Sequence, residues 1–464
     1  MVARIASGLV ADPELKSPNL AWAVGHPTCK HGLPADEGSA HYSQGSMGMF
    51  LGLHRTSAVL DLVVVALLAL SLRIAIVSAV ASPPERFEYA TIVESWIGGD
   101  GLDYPHLGTI YGAYYSGVPY LTTCAALTLA FPPGAAAIQV IQALFSVLNG
   151  AAILWIGRQA GGRGIGLTAA IMTALHPALA YYDVRKLHPL GLDALLTSLV
   201  VAGLLWVEGG PQERRRTAVA GCLLGLGILQ RGSLLVLLPL ACIWLWRRTS
   251  GAIAATYAAA ALATVCPWLL RNYVEVGAPV LVSTTGEHFW IGNAPGSAGS
   301  NLLPSGKPVL TLMPRGLEAE LSELDEVGQS RAFWRAGWTA AANDPSGFGA
   351  GLARKMVLFW SFGPQSGAWY PPIFRDSYLF YYAWVLALAA IGAWRLKGTQ
   401  QGARILGVLA LTFAAVSVTH SVFYAEMRHR WALEPLMLVL AAIAVSRRPS
   451  RLTRDASSAD SVPA

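Results

Sequence analysis

From Ser57 onward the chain is a series of long apolar runs separated by short charged segments. A membrane-crossing helix needs about 20 predominantly apolar residues. The runs that approach this length are 57–79, 136–157, 164–182, 189–207, 216–231, 233–246, 252–269, 378–395, 403–422 and 431–446. The pattern predicts an all-α integral membrane bundle of about ten spans, without an internal repeat of helix pairs. Residues 1–56 read as a disordered cytoplasmic leader and 447–464 as a cytoplasmic tail. Between them lie an N-terminal membrane module (57–270), a long loop with a helix (271–376) and a C-terminal membrane module (377–446).

Composition narrows the function classes. Hydrophobic residues make up 54% of the 464 residues and charged residues 13%, against about 25% charged in soluble domains. A chain this poor in charge cannot cover a water-facing surface. The net charge of +6 is diffuse, with no Lys/Arg stripe interleaved with aromatics, so no nucleic-acid partner is expected. The five cysteines form no CxxC pair, which argues against a zinc site or a disulfide framework. His26, Cys29 and His31 are too few for a metal centre.

The arginines orient the bundle. Arg158 and Arg163, Arg214 to Arg216, Arg247 and Arg248, Arg395 and Lys397, and Arg447, Arg448 and Arg451 fall on one side if the spans alternate. Short basic loops stay cytoplasmic. Both termini are then inside, and the loops 80–135 and 271–376 face the extracytoplasmic side of a cytoplasmic (inner) membrane. The apolar stretch 111–131 must lie in the outer interface, because one more crossing would turn every later arginine outward. In the second outer loop, 315–343 reads as a helix that stops at Asn343-Asp344-Pro345.

On this alternation the ionisable groups gather at one depth, at the outer ends of the spans. They include Arg73, Glu85, Glu88, Asp183, Lys186, His188, Arg231, Arg271, Glu426, Arg428, His429 and Arg430. Together they describe a pocket basic enough for a phosphate and acidic enough for a base. A multispan lipid or oligosaccharide transporter is the alternative, but it should show duplicated halves and midplane charges. A structural subunit with a decayed site should have lost the acids and arginines.

Four segments carry a family resemblance. PPERFEYATIVESWIGGDG, LQRGSLLVLLPL, CPWLLRNYVEVGAPVLVSTTGEHFWIGNAPGSAG and EMRHRWALEPLMLVLAA resemble the GT-C polyprenyl-phosphate-sugar glycosyltransferases. The likeness is to bacterial members of the protein O-mannosyltransferase and aminoarabinose transferase family. It implies a GT-C-type multispan bundle that moves a sugar from a polyprenyl-phosphate donor to a hydroxyl of a protein, lipid or glycan acceptor. It implies Glu85 as catalytic base, with Glu88 one helical turn later as the other candidate. Arg231, Arg271, Arg428, Arg430 and Lys186 would bind the donor phosphate, and His188, Asp183 and Tyr89 the substrate. The chain departs from the family's pattern in two places. Glu85 stands where the family usually has Asp, and His188 replaces an acid in the Leu187-His188-Pro189 setting.

A sugar on a polyprenyl phosphate already has a good leaving group, so one base suffices. Glycosidases differ, because they must also protonate the leaving alcohol. Direct displacement predicts inversion. Arginine forks stabilise the departing phosphate without requiring a cofactor, although a divalent metal is compatible with the same acids.

Overall fold

The computed structural model describes residues 44–80, 82–132, 134–207, 213–361 and 372–446. The leader up to residue 43, with His26, Cys29 and His31, and the tail 447–464 lie outside the described residues. The chain divides between His54 and Arg55.

All ten apolar runs fall on helices. They are α1 (Gln44–Ala79), α4 (Ala135–Gly161), α5 (Arg163–Ala174) with α6 (Pro177–Arg185), α7 (Leu190–Trp206), α8 (Glu213–Gln230), α9 (Leu237–Arg248), α10 (Gly251–Val276), α15 (Pro372–Leu396), α16 (Gln400–Val422) and α18 (Glu434–Val445). The outer segments add α2 (Glu88–Gly98), α3 (Val118–Ala130), α11 (Thr285–Asn293), α12 (Arg315–Leu321), α13 (Glu326–Asn343), α14 (Pro345–Trp360) and the single turn α17 (Met427–Arg430). Two short ribbons complete the list: β1 (Glu85–Arg86) pairs parallel with β4 (Lys186–Leu187), and β2 (Tyr104–His106) antiparallel with β3 (Thr109–Tyr111).

Among the described residues, five helices are long and apolar enough to cross a membrane, and the pair α5–α6 makes a sixth. That pair bends by 45° where Pro177, which has no N–H to give, starts a new helix capped by His176. The run 233–246 is likewise divided, into a 3₁₀ turn and α9. Helices α7 and α18 are apolar but shorter. The protein is thus a multi-pass membrane protein.

Large apolar side chains such as Val59, Leu67, Ile74, Leu262, Phe380 and Trp394 are exposed, as they should be where lipid tails are the solvent. The inner faces of α4 to α10, α15, α16 and α18 share one core. Helices α4 and α5 cross with backbones touching. A Cβ on Gly157 would lie 2.7 Å from the Cα of Gly166, so small residues set this contact as they do in membranes generally.

Ion pairs mark the two ends of the bundle. At one end Asp61 of α1 accepts from Arg158 (2.5 Å) at the end of α4 and from Arg163 (2.9 Å) at the start of α5. At the same end Arg395 of α15 donates to the Ala444 carbonyl at the end of α18, 2.6 Å, and Arg404 of α16 to the Leu205 carbonyl at the end of α7. At the other end, Arg73 pairs with Asp183 at 2.7 Å, and Gln230 of α8 donates to Asp193 of α7 at 2.9 Å.

Helix α3 starts at this second end, where the Tyr120 amide donates to Gln230. Helix α4 starts there too, because Gln142 near its beginning donates to the Asp183 and Lys186 carbonyls. A helix whose successor sets out from the same end adds no crossing. The stretch 111–131 therefore leaves the alternation of the later helices unchanged.

Candidate functional site

The candidate site lies at the second end of the bundle, where the ionisable groups gather, and the string after α10 builds its scaffold. Trp268 donates to the Leu281 carbonyl at 2.8 Å and Asn272 to the Val280 carbonyl at 2.7 Å, folding residues 277–283 back along the helix. Ser283 and Thr284 then donate their hydroxyls to the Ala113 and Tyr114 carbonyls at 3.0 and 3.1 Å. Glu326 accepts from the Gly112 and Ala113 amides at 2.9 and 3.2 Å. The first outer loop is thereby held to the second, with Tyr114 and Tyr115 fixed in place. The Gly292-Asn293 pair is equally structural. A Cβ on Gly292 would fall 1.6 Å from the Phe423 carbonyl oxygen. Asn293 donates to the Val422 carbonyl (2.9 Å) and accepts from buried Lys355 (2.7 Å). These contacts fix the segment 423–426 that leads into α17.

Aromatic rings line the space between the two loops. Tyr89 stacks on Tyr115 at 4.7 Å, and Tyr114 meets Tyr115 at 4.6 Å and Tyr104 at 4.4 Å. Burial pushes the phenols of Tyr89, Tyr114 and Tyr115 upward, so they stay protonated donors. Across from them, His429 of α17 stacks on His420 at 4.1 Å, and Tyr424 packs on both His429 and His288.

The two glutamates expected as base have different surroundings. Glu85 sits in β1 opposite Lys186, and the Lys186 ammonium lies 2.6 Å from its carboxylate. That carboxylate is 53% exposed, whereas Lys186 is 4% exposed. Glu88, the first residue of α2, is partly buried, and among the described residues its carboxylate has no hydrogen-bond or ion-pair partner. Its charge acts on Tyr89, Tyr104, Tyr114 and Tyr115, so it faces the aromatic space.

The basic residues also separate. Arg231 donates to Asp193 and to the His429 carbonyl, both at 3.1 Å. Arg428 pairs with Glu426 at 2.6 Å and is 27% exposed. The charges of both act on Tyr89, His188, Tyr424 and His429. Arg271 lies apart, donating to the Gly112 carbonyl and to Asn272. Arg430 is fully buried. It donates to Glu434 (3.0 Å), Tyr378 (3.0 Å) and the Phe359 carbonyl (2.7 Å) and lies 3.7 Å over the Tyr382 ring. Asp183 is buried as well, bound by Arg73 and by the Ser146 hydroxyl at 2.5 Å. Both are paired inside the bundle as interior struts, Asp183 with Arg73 and Arg430 with Glu434. The geometry gathers Glu88, Tyr89, His188, Arg231 and Arg428, with Glu85 and Lys186 at the rim.

Two histidines have their ring protons placed by backbone amides. The Leu190 N–H donates to Nδ1 of His188, and the Glu426 N–H to Nδ1 of His429, each at 3.2 Å. The second contact is half of a capping box, in which the Glu426 side chain accepts from the His429 amide. A lone pair must face each amide, so the ring proton is on Nε2 and the ring is neutral. Electrostatics agree with that assignment. Burial, then Arg428, Arg231 and Lys186, push His188 well below the usual histidine range, and burial, His420 and the same arginines do so for His429.

Sequence reading missed Glu287, His106, His288, His420 and Tyr424. Glu287 is buried on α11 and lies 2.8 Å from His106 Nε2 on the β2–β3 hairpin. Its one sequence signal is a lone acid inside the apolar string TTGEHFWIG. Among the described residues, no three His, Cys, Asp or Glu side chains converge in a way that could hold a metal ion.

No protein-family model matches the sequence, and no curated protein matches it either. Solved structures do. The chain is similar to the archaeal oligosaccharyltransferase AglB of Archaeoglobus fulgidus, solved with an inhibitory peptide and a dolichol-phosphate. The TM-score is 0.50 at 14% identity, over 89% of this chain and 53% of that one. The chain thus spans about half the length of that protein. ArnT of Cupriavidus metallidurans, bound to undecaprenyl phosphate, matches over 90% of this chain and 80% of its own at 17% identity, with a TM-score of 0.36. The first likeness assigns the fold. It is the multispan helical architecture of the GT-C membrane enzymes.

Proposed function

We propose that the chain is a membrane glycosyltransferase. It would move a sugar from a polyprenyl-phosphate donor to a hydroxyl acceptor on the extracytoplasmic face of a cytoplasmic membrane. The observation that carries this reading is the pairing of an unpartnered carboxylate, Glu88, with two partly exposed guanidiniums, Arg231 and Arg428, across an aromatic-lined space on a GT-C fold.

In this reading Glu88 takes the acceptor hydroxyl's proton as the oxygen attacks the anomeric carbon. The bond from that carbon to the phosphate oxygen breaks, and the phosphate leaves with the electron pair. Arg428 and Arg231 neutralise the departing charge. Neither His188 nor His429 can serve as base in its present tautomer, because Nδ1 is occupied and Nε2 carries the proton. Glu85 pairs with Lys186 at the rim and closes the β1–β4 ribbon. Attack opposite the leaving phosphate inverts the anomeric centre. The apolar crevice beside Tyr89, between α2, α3 and α4 with Val93, Cys124 and Ile138 on its walls, suits the first isoprene units. No step requires a cofactor.

The test is sugar transfer by the detergent-solubilised chain from a panel of undecaprenyl-phosphate hexoses and pentoses. An activity abolished by Glu88→Gln, giving product of inverted configuration, supports the reading. Retention of configuration, or full activity in both Glu88→Gln and Glu85→Gln, overturns it.

A further inference from the structure

Three histidines use the same device at the start of a helix or turn. Each ring accepts a backbone N–H at Nδ1, at 3.2 Å. The amides belong to Leu179 for His176, Leu190 for His188 and Glu426 for His429. Each ring must then carry its proton on Nε2 and present it outward. His176 shows what such a proton is for. Its Nε2 lies 2.7 Å from the Glu434 carboxylate, and both groups are fully buried. The Nε2 atoms of His188 and His429 have no such oxygen among the described residues, yet both rings lie under the charges of Arg231 and Arg428.

From this we infer that His188 and His429 are neutral N–H donors to the oxygens of a phosphate ester held by Arg231 and Arg428, as His176 is to Glu434. The inference rests on the function proposed above and gives these two rings a specific task in it, donation to the phosphate oxygens. Neutral donors suit this place physically. Two guanidiniums already supply the charge, and a further cation would be repelled by both. An imidazole N–H adds a directed hydrogen bond to an anionic oxygen without adding repulsion.

Asparagine and glutamine separate the ligand role from the capping role. The Asn amide oxygen stands near the place of Nδ1 and keeps the backbone cap, but it has no distal donor. The Gln amide nitrogen stands near the place of Nε2 and keeps the donor. Binding of farnesyl phosphate to the solubilised full chain is measured for His188→Asn, His188→Gln, His429→Asn and His429→Gln. Losing one hydrogen bond to a charged group costs about tenfold or more in affinity. The Asn variants should show that loss, and the Gln variants should stay within about threefold of the native chain. The opposite ranking, with Asn normal and Gln weak, makes these histidines caps only and overturns the inference.

Arg428→Ala separates the two levels. If it weakens binding while both Asn variants bind normally, the histidine inference alone falls. If it too leaves binding unchanged, the phosphate reading of the site falls. Equal affinity for farnesyl phosphate and inorganic phosphate would overturn the assignment to a lipid headgroup. For a variant that does not fold, ¹⁵N spectra of histidine-labelled native chain decide instead. Nε2–H tautomers at both positions, shifting on addition of farnesyl phosphate, support the inference. An imidazolium or Nδ1–H form at either position, or no shift, refutes it.

Discussion

Replacing Glu88 by glutamine removes basicity while keeping size and hydrogen-bonding capacity. Because the Glu88 carboxylate has no ion-pair partner among the described residues, the substitution breaks no bridge. The structural cost is limited to a negative charge at the first residue of α2, about 0.3–1 kcal/mol. The chemical cost is far larger. Loss of a general base slows a reaction by about 10²- to 10⁴-fold, equivalent to about 3–5 kcal/mol of barrier. Glu85→Gln should behave in the reverse way. It weakens the 2.6 Å contact with Lys186, but Glu85 is 53% exposed, and solvent-screened pairs are worth about 0–1 kcal/mol. Transfer should fall no more than about fivefold. The assay is single-turnover sugar transfer from undecaprenyl-phosphate sugar, with farnesyl phosphate binding measured in parallel. Glu88→Gln should lose turnover and keep binding. A steep loss in Glu85→Gln beside a near-normal Glu88→Gln would refute the argument from pairing and return the base to Glu85.

Other outcomes follow from the same geometry. Arg428→Ala should weaken donor binding and leave the thermal unfolding midpoint nearly unchanged. Arg430→Ala should lower that midpoint sharply, since removing the counter-charge of the buried Glu434 carboxylate costs about 3–5 kcal/mol; equal midpoints would show that Arg430 is no strut. Burial pushes the Lys355 ammonium down to about 7, so between pH 7 and 10.5 the unfolded chain binds more protons there than the folded one. The stability of the native chain relative to Lys355→Met should therefore rise with pH across that window, and a difference that is flat or falls refutes it. In a background without native cysteines, Ser305→Cys should label in intact cells with an impermeant reagent and Lys397→Cys should not. Labelling of Lys397→Cys from outside reverses the proposed orientation.

Much of the architecture was legible in the sequence, because the bilayer enforces it locally. A run of apolar residues must satisfy its own backbone, so it becomes a helix wherever it occurs, and all ten runs did. Alternation was legible for the same reason. The arginines at 158, 163 and 395 meet acids and carbonyls at one end of the bundle. The convergence of acids and bases at the other end also followed from span boundaries. Which members share a pocket did not. Arg428 and Arg430 are two residues apart and look alike in a string, yet the turn of α17 leaves one partly exposed at the aromatic space and buries the other against Glu434. Glu85 and Glu88 also look alike in a string, yet β1 brings Lys186 beside the first while the second opens α2 toward the tyrosines. The histidine tautomers depend on single amides supplied by helix starts. Side-chain direction and through-space partners come from packing between segments a hundred or more residues apart, such as Arg73 with Asp183 and Arg231 with His429. Periodicity carries no record of these contacts, so the tertiary structure alone decided them.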